Sequence, residues 1–142
     1  TDFEGTNFEN SNLSGATLAG AILTDAYLDG VDLTGVDLTG VDLRGLNFGS
    51  YCSSEDGVTT CSFTNLTGAD LTDTNLTGVN LGYKDLTNVD LTGADLTNTN
   101  LANANLTSAD FTDAIVTDAD FTDTYWYQTV WTDGVAYDEN QA

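Results

Sequence analysis

Histidine, proline and methionine are missing from this 142-residue chain, and only Arg44 and Lys84 are basic. Each shortage closes a route. Without histidine there is no Ser-His-Asp triad, and two cysteines, Cys52 and Cys61, supply at most half of a zinc ligand set. Two cations against 23 acidic residues leave a formal net charge of −21. A nucleic-acid backbone needs several Lys or Arg contacts, and an anionic membrane attracts basic segments, so neither is expected as a direct partner. No apolar run approaches the roughly 20 residues that cross a bilayer. No GxxxxGK phosphate loop occurs, and the 14 glycines mostly follow a repeat.

A charge this extreme can mark a disordered chain. Here, however, 40% of residues are hydrophobic, and they recur at a fixed interval. A large apolar residue stands at every fifth position from Phe3 and Phe8 through Leu13, Leu28 and Leu43 to Phe48. The pattern resumes at Leu66 and runs through Leu91 and Phe111 to Val116, Phe121, Trp126 and Trp131. Of these 24 pentad centres 16 are leucine, so the apolar column is nearly uniform. Two residues before the centre the chain is usually small or β-branched, as at Ala16, Val31, Ala69 and Val89. Directly before it comes Asp or Asn, and after it Thr and then Gly, Asn or Asp; Val31 to Leu43, VDLTGVDLTGVDL, carries the unit undiluted.

A period of five matches neither an α-helix at 3.6 nor a strand at 2. The abundance of Gly, Thr, Asn and Asp further disfavours helix. The period suits a short extended step followed by a corner. The small and large residues point inward, the Asp or Asn between them points out, and the Gly, Asn or Asp beyond them takes the turn. A unit this short cannot stand alone, so its stability comes from stacking on its neighbours.

The pattern A(D/N)LTG resembles the pentapeptide-repeat family from Thr1 to about Asp133. The resemblance implies an all-β fold, a right-handed quadrilateral β-helix with four pentads per coil in a single domain. Twenty-four pentads then give about six coils and a rod about 29 Å long at β-strand spacing. It also implies relatives in bacteria, especially cyanobacteria, in both cytoplasm and exported compartments. Some relatives imitate a DNA rod and inhibit DNA gyrase as dimers.

Four segments are expected: a first solenoid stretch over 1–48, an inserted loop over 49–63, a second stretch over 64–133, and a tail or cap over 134–142. The interval from Phe48 to Leu66 is not a multiple of five, so part of the chain between them leaves the path. Phe63 complicates the restart: it lies three whole pentads after Phe48 and would put Cys61 in a small inward slot. Either Phe63 or Leu66 can begin the second register. Cys52 and Cys61 bracket the loop. They read either as a disulfide staple, which points to an exported, oxidising compartment such as periplasm or thylakoid lumen, or as free thiols.

At the far end Tyr125, Trp126, Tyr127, Trp131 and Tyr137 replace the leucine-rich pattern. Their bulk can close the column or form a dimer interface, so the chain is expected as a monomer or an end-to-end dimer. The repeat is already under way at Thr1, as in a chain that has lost a leading segment.

Neither a catalytic residue nor a cofactor is expected, because Asp fills the outward slot by default and a regular exterior makes no water-excluding pocket. Residues four pentads apart should stack, giving files such as Asp70, Asp90, Asp110 and a ladder of Thr72, Thr92, Thr112, Thr132. The Asp files suggest calcium, although the GGxGxDxUx pattern of β-rolls is absent and no metal site is assigned. The threonine ladder suggests ice binding, against the plainer role of Thr in extended and turning backbone. The leading expectation is a non-catalytic structural or protein-interaction module whose partner has a basic surface. The alternatives are an acidic DNA mimic acting on a DNA-handling protein such as gyrase, and calcium binding.

Overall fold

The computed structural model describes residues 1–55, 58–134 and 136–137. Pentads become walls because the residue before most centres forms a parallel bridge with its counterpart one coil on. The file Thr17, Asp37, Asp70, Asp90, Asp110, Val130 is bridged at every step. Steps such as Asp70 to Asp90 advance by four pentads, which therefore complete one coil, as the resemblance implies. Along each wall Leu71 N donates to Asp90 O (2.8 Å), and Asp90 N donates back to Ala69 O (3.0 Å). Where these bridges form, a wall directs its backbone groups to the coils before and after it, as buried amides require.

The corner follows the same logic. Ala69 N donates to Leu66 O (3.0 Å), closing a four-residue turn whose third residue, Gly68, has φ of +66°. A positive φ at that position alone is the type II signature, and it selects Gly, Asn or Asp there. Asn98 occupies the equivalent corner at φ +57°. Asn98→Val places a β-branched residue in that left-handed conformation and should cost about 1–2 kcal/mol, read as a melting temperature lower by several degrees.

The centres fill the axis. Leu33, Leu43, Leu71, Leu91 and Leu106 are buried to 1% or less, with Ala69, Val89 and Ala94 beside them. Phe3, Phe8 and Leu13 at one end, and Val116, Phe121 and Trp131 at the other, are only partly covered. Each interior leucine contributes about 1.5–3 kcal/mol by leaving water.

The inserted loop is an antiparallel hairpin, β1 (Ser50–Glu55) against β2 (Val58–Phe63). The walls reconnect across it by bridges with a longer span in sequence, Asp32 to Asn65 and Asp37 to Asp70, each one coil plus the excursion. This decides the restart. Leu66 is the buried centre, at 1% exposure, whereas Phe63 is 69% exposed. Cys61 is likewise exposed on β2 rather than seated in an inward slot. Local spacing allows both registers, but only Leu66 keeps its wall bonded, with Leu33 N donating to Asn65 O. A second short pairing, β3 (Thr129–Val130) with β4 (Ala136–Tyr137), lies on the last coil. The expected tail over 134–142 falls mostly outside the described residues.

Candidate functional site: the acidic exterior and the hairpin root

The outward Asp or Asn does more than face solvent. The amide two residues later points away from the ladder, and the side chain turns back to accept from it. Thr34 N donates to Asp32 Oδ1 (3.1 Å), Thr72 N to Asp70 Oδ1 (3.0 Å) and Thr77 N to Asn75 Oδ1 (3.1 Å). Aspartate and asparagine serve equally as acceptors in this local turn, which explains why they alternate along the chain. Several threonine hydroxyls bond to the same carboxylate, as Thr112 Oγ1 does to Asp110 Oδ1 (2.6 Å). The threonine ladder is therefore partly engaged with the Asp file beside it.

These bonds favour the charged carboxylate. The Thr72 hydroxyl, foremost, holds Asp70 below the ordinary aspartate value of 3.8, against a smaller opposing effect of burial. Thr97 does the same for Asp95 and Thr122 for Asp120, while the Arg44 guanidinium holds Asp42 down across an exposed 2.6 Å ion pair. A carboxylate depressed in the folded state contributes stability above its unfolded value, and that contribution is lost as pH falls through the folded value. Melting temperature should therefore drop on acidification from about pH 5 to about pH 2. Asp70→Asn keeps the acceptor without the titration and should narrow that drop in a thermal melt followed by circular dichroism.

Along one wall Asp37, Asp70, Asp90 and Asp110 follow one another without interruption. Coils about 4.8 Å apart bring these carboxylates well within the screening length of about 8 Å at physiological salt. The file is thus a line of mutually repelling charge held by the backbone. Among the described residues no group of three or more acidic, Cys or His side chains is arranged to hold a metal ion.

At the last coil Trp126 and Trp131 stack at 4.6 Å, and Trp131 packs on Phe111 and Phe121 at 5.1 Å each. The Trp126 indole N–H donates to Thr124 Oγ1. Tyr125 and Tyr127 instead face outward, 58% and 46% exposed. The structure therefore brings the two tryptophans together on the column and leaves these tyrosines on the side. Tyr137 stands opposite Thr129 in the β3–β4 register.

Nothing in the pentad pattern marks the hairpin root as a site. Where the chain leaves the wall, Gly49 O accepts from Thr64 N (3.1 Å). On an uninterrupted corner Asn10 N donates to Asp29 O; by the same register Gly30 N would use Gly49 O, which is taken. Thr64 Oγ1 fills the gap: it accepts from Gly30 N (3.2 Å) and donates to Leu28 O (2.8 Å), with Gly49 O also in reach at 3.1 Å. Cys52 and Cys61 are direct Cα partners in the hairpin, and among the described residues no cysteine is free. Beside the root lies a groove of about 340 Å³ lined by Phe63, Thr64, Asn65, Tyr83, Lys84 and Asp85. Lys84 occupies the small inward slot two residues before Leu86. The sequence signal for it is a lone lysine where the pattern places Ala, Val or Thr.

Four walls per coil, most of them bridged to the next coil, an apolar column and an Asx-capped acidic exterior define a parallel β-solenoid of five-residue units. The sequence profile described as "Pentapeptide repeats" matches residues 1–40, 11–49, 59–83 and 85–123 in eight copies, and the chain belongs to that family. Among solved structures it is similar to HetL, a pentapeptide repeat protein involved in heterocyst differentiation regulation in the cyanobacterium Nostoc sp. strain PCC 7120 (25% identity, TM-score 0.46). The match covers 96% of this chain but 64% of HetL, so the chain spans less than two thirds of that relative. It is also similar to Rfr23 from the cyanobacterium Cyanothece 51142 (20% identity, 92% and 87% of the two chains, TM-score 0.48). A third is QnrB1, a plasmid-mediated fluoroquinolone resistance protein (19% identity, 90% and 74% covered, TM-score 0.49). Comparison with curated protein sequences gives no match.

Proposed function

We propose that this chain is a non-catalytic interaction module, a right-handed solenoid of about six coils that presents a rigid anionic surface to a cationic partner. The observation that carries this reading is the uninterrupted file Asp37, Asp70, Asp90, Asp110, fixed by bridges at every step on a chain of net charge −21. Rigid, periodic charge steers a complementary surface without an ordering cost on this side of the complex. The test uses the Asp-to-Asn variant of all four positions, which keeps every local acceptor and removes four charges. Wild-type protein should recover a partner from extracts of its own cells at physiological salt, and the variant should lose it. Equal recovery by both proteins would overturn the reading.

The same file favours a second, narrower reading, a DNA mimic that occupies the basic channel of a DNA-handling enzyme such as gyrase. Inhibition of supercoiling by purified gyrase at micromolar protein, weakened in the four-Asn variant, is the expected result. No inhibition removes this reading and leaves the first standing.

Cys52 and Cys61 form a disulfide that staples the hairpin, and the protein works in an oxidising compartment. Their direct register supports this; intact mass should rise by two hydrogens on reduction, and no change would count against it. Trp126 and Trp131 close the column, with Tyr125, Tyr127 and Tyr137 along its flank. Light scattering should then find a monomer, whereas an end-to-end dimer would make this coil an interface.

A further inference from the structure

We propose that the groove at the hairpin root captures small uncharged aldehydes, with Lys84 Nζ forming a reversible imine at the carbonyl carbon. Lys84 is the chain's single lysine. Its amide donates to Leu81 O (3.2 Å), the corner bond that inward-slot residues make, so its stem starts inside the wall. The coil ahead of it leaves its path between Gly49 and Thr64 to make the hairpin, and among the described residues no bridge joins Asn65 to Asp85 beside it. Among the described residues the Nζ has no hydrogen-bond or ion-pair partner.

The surrounding polar groups are already engaged. Asn65 Nδ2 donates to Thr34 Oγ1 and its Oδ1 accepts from Thr67, while Asp85 Oδ1 accepts from Thr87 N. Burial lowers the Lys84 pKa, opposed by the Asp29 charge, and Asp85 lines the same groove. A desolvated amine is more readily the neutral nucleophile.

Phe63 and Tyr83, 69% and 82% exposed, provide an apolar wall for the rest of the ligand. Tyr83 does so from a corner at φ +61°, where the next coil carries Asn103. A ring held there against backbone preference is the kind of outlier that accompanies a site. The net charge of −21 disfavours anionic ligands, which selects neutral carbonyl compounds. In the reaction the Nζ lone pair adds to the carbonyl carbon, and the carbonyl oxygen leaves as water with the two amine hydrogens. No oxidant or reductant takes part.

The test treats the folded protein with benzaldehyde at neutral pH, traps the imine with cyanoborohydride, and maps the adduct by mass spectrometry. Lys84 should be labelled severalfold faster in the folded chain than in the same chain unfolded in urea, because burial favours the neutral amine. The double variant Phe63→Ser, Tyr83→Asn removes both rings, and asparagine suits the corner, so folding is kept. This variant should be labelled severalfold more slowly at an unchanged melting temperature. Labelling no faster in the folded than in the unfolded chain would overturn the proposal. So would equal labelling of the double variant and the wild type.

Discussion

Leu91→Asp should leave the chain without a cooperative melting transition and without the native circular dichroism spectrum. Leu91 is fully buried and lies in its wall between Leu71 and Phe111. The substitution acts twice. It removes the apolar side chain, a loss of about 2–5 kcal/mol on the scale of leucine truncation. It also puts a carboxyl group where no donor is available, and burial without a partner costs several kcal/mol more, even after neutralisation. The sum is comparable with the whole stability of an ordinary domain, about 5–15 kcal/mol. Leu91→Ala separates the two effects: it should stay folded and melt at a lower temperature. The adjacent Asp90→Asn, which keeps an outward acceptor for Thr92 N, should barely shift the transition. A Leu91→Asp protein with wild-type spectrum and melting would contradict the inward assignment of every pentad centre.

That assignment is legible without coordinates because it depends only on spacing. A large apolar residue that recurs every fifth position, leucine at 16 of 24 centres, has one place to go. The outward direction of the Asp or Asn before it follows from the same spacing, but its bond to the amide two residues later does not. Composition reports the preference for Asp and Asn, and only geometry reveals that the turn amide is otherwise unpaired. Phe63 and Leu66 are equivalent in sequence for a similar reason. Each satisfies the local pentad, and the choice belongs to the ladder between coils, where Asn65 meets Asp32 far back in the chain. Lys84 departs from the pattern in full view. Its meaning emerges only when the preceding coil is found to have opened beside it.

Thr64 is where that opening is repaired, and a single isosteric change should measure the repair. Thr64→Val keeps the β-branched shape and removes the hydroxyl. Leu28 O loses a donor but retains Val31 N at 3.2 Å, a loss of about 0.5–1.5 kcal/mol. Gly30 N loses the acceptor it has at 3.2 Å, and Gly30 is buried, so its N–H is stranded at a cost of about 1–3 kcal/mol. Thr99→Val provides the internal reference. Thr99 Oγ1 also donates to a carbonyl, Leu76 O at 2.8 Å, which keeps Val79 N, and it accepts from no backbone amide in the same way. In urea denaturation Thr64→Val should be the more destabilising of the two by about 1–3 kcal/mol, the cost of the stranded amide. Hydrogen exchange at Gly30 should accelerate in Thr64→Val alone, because its protection depends on this one side chain. Equal destabilisation by the two substitutions, with Gly30 still protected, would mean that the hairpin leaves the wall without needing a side chain to close it.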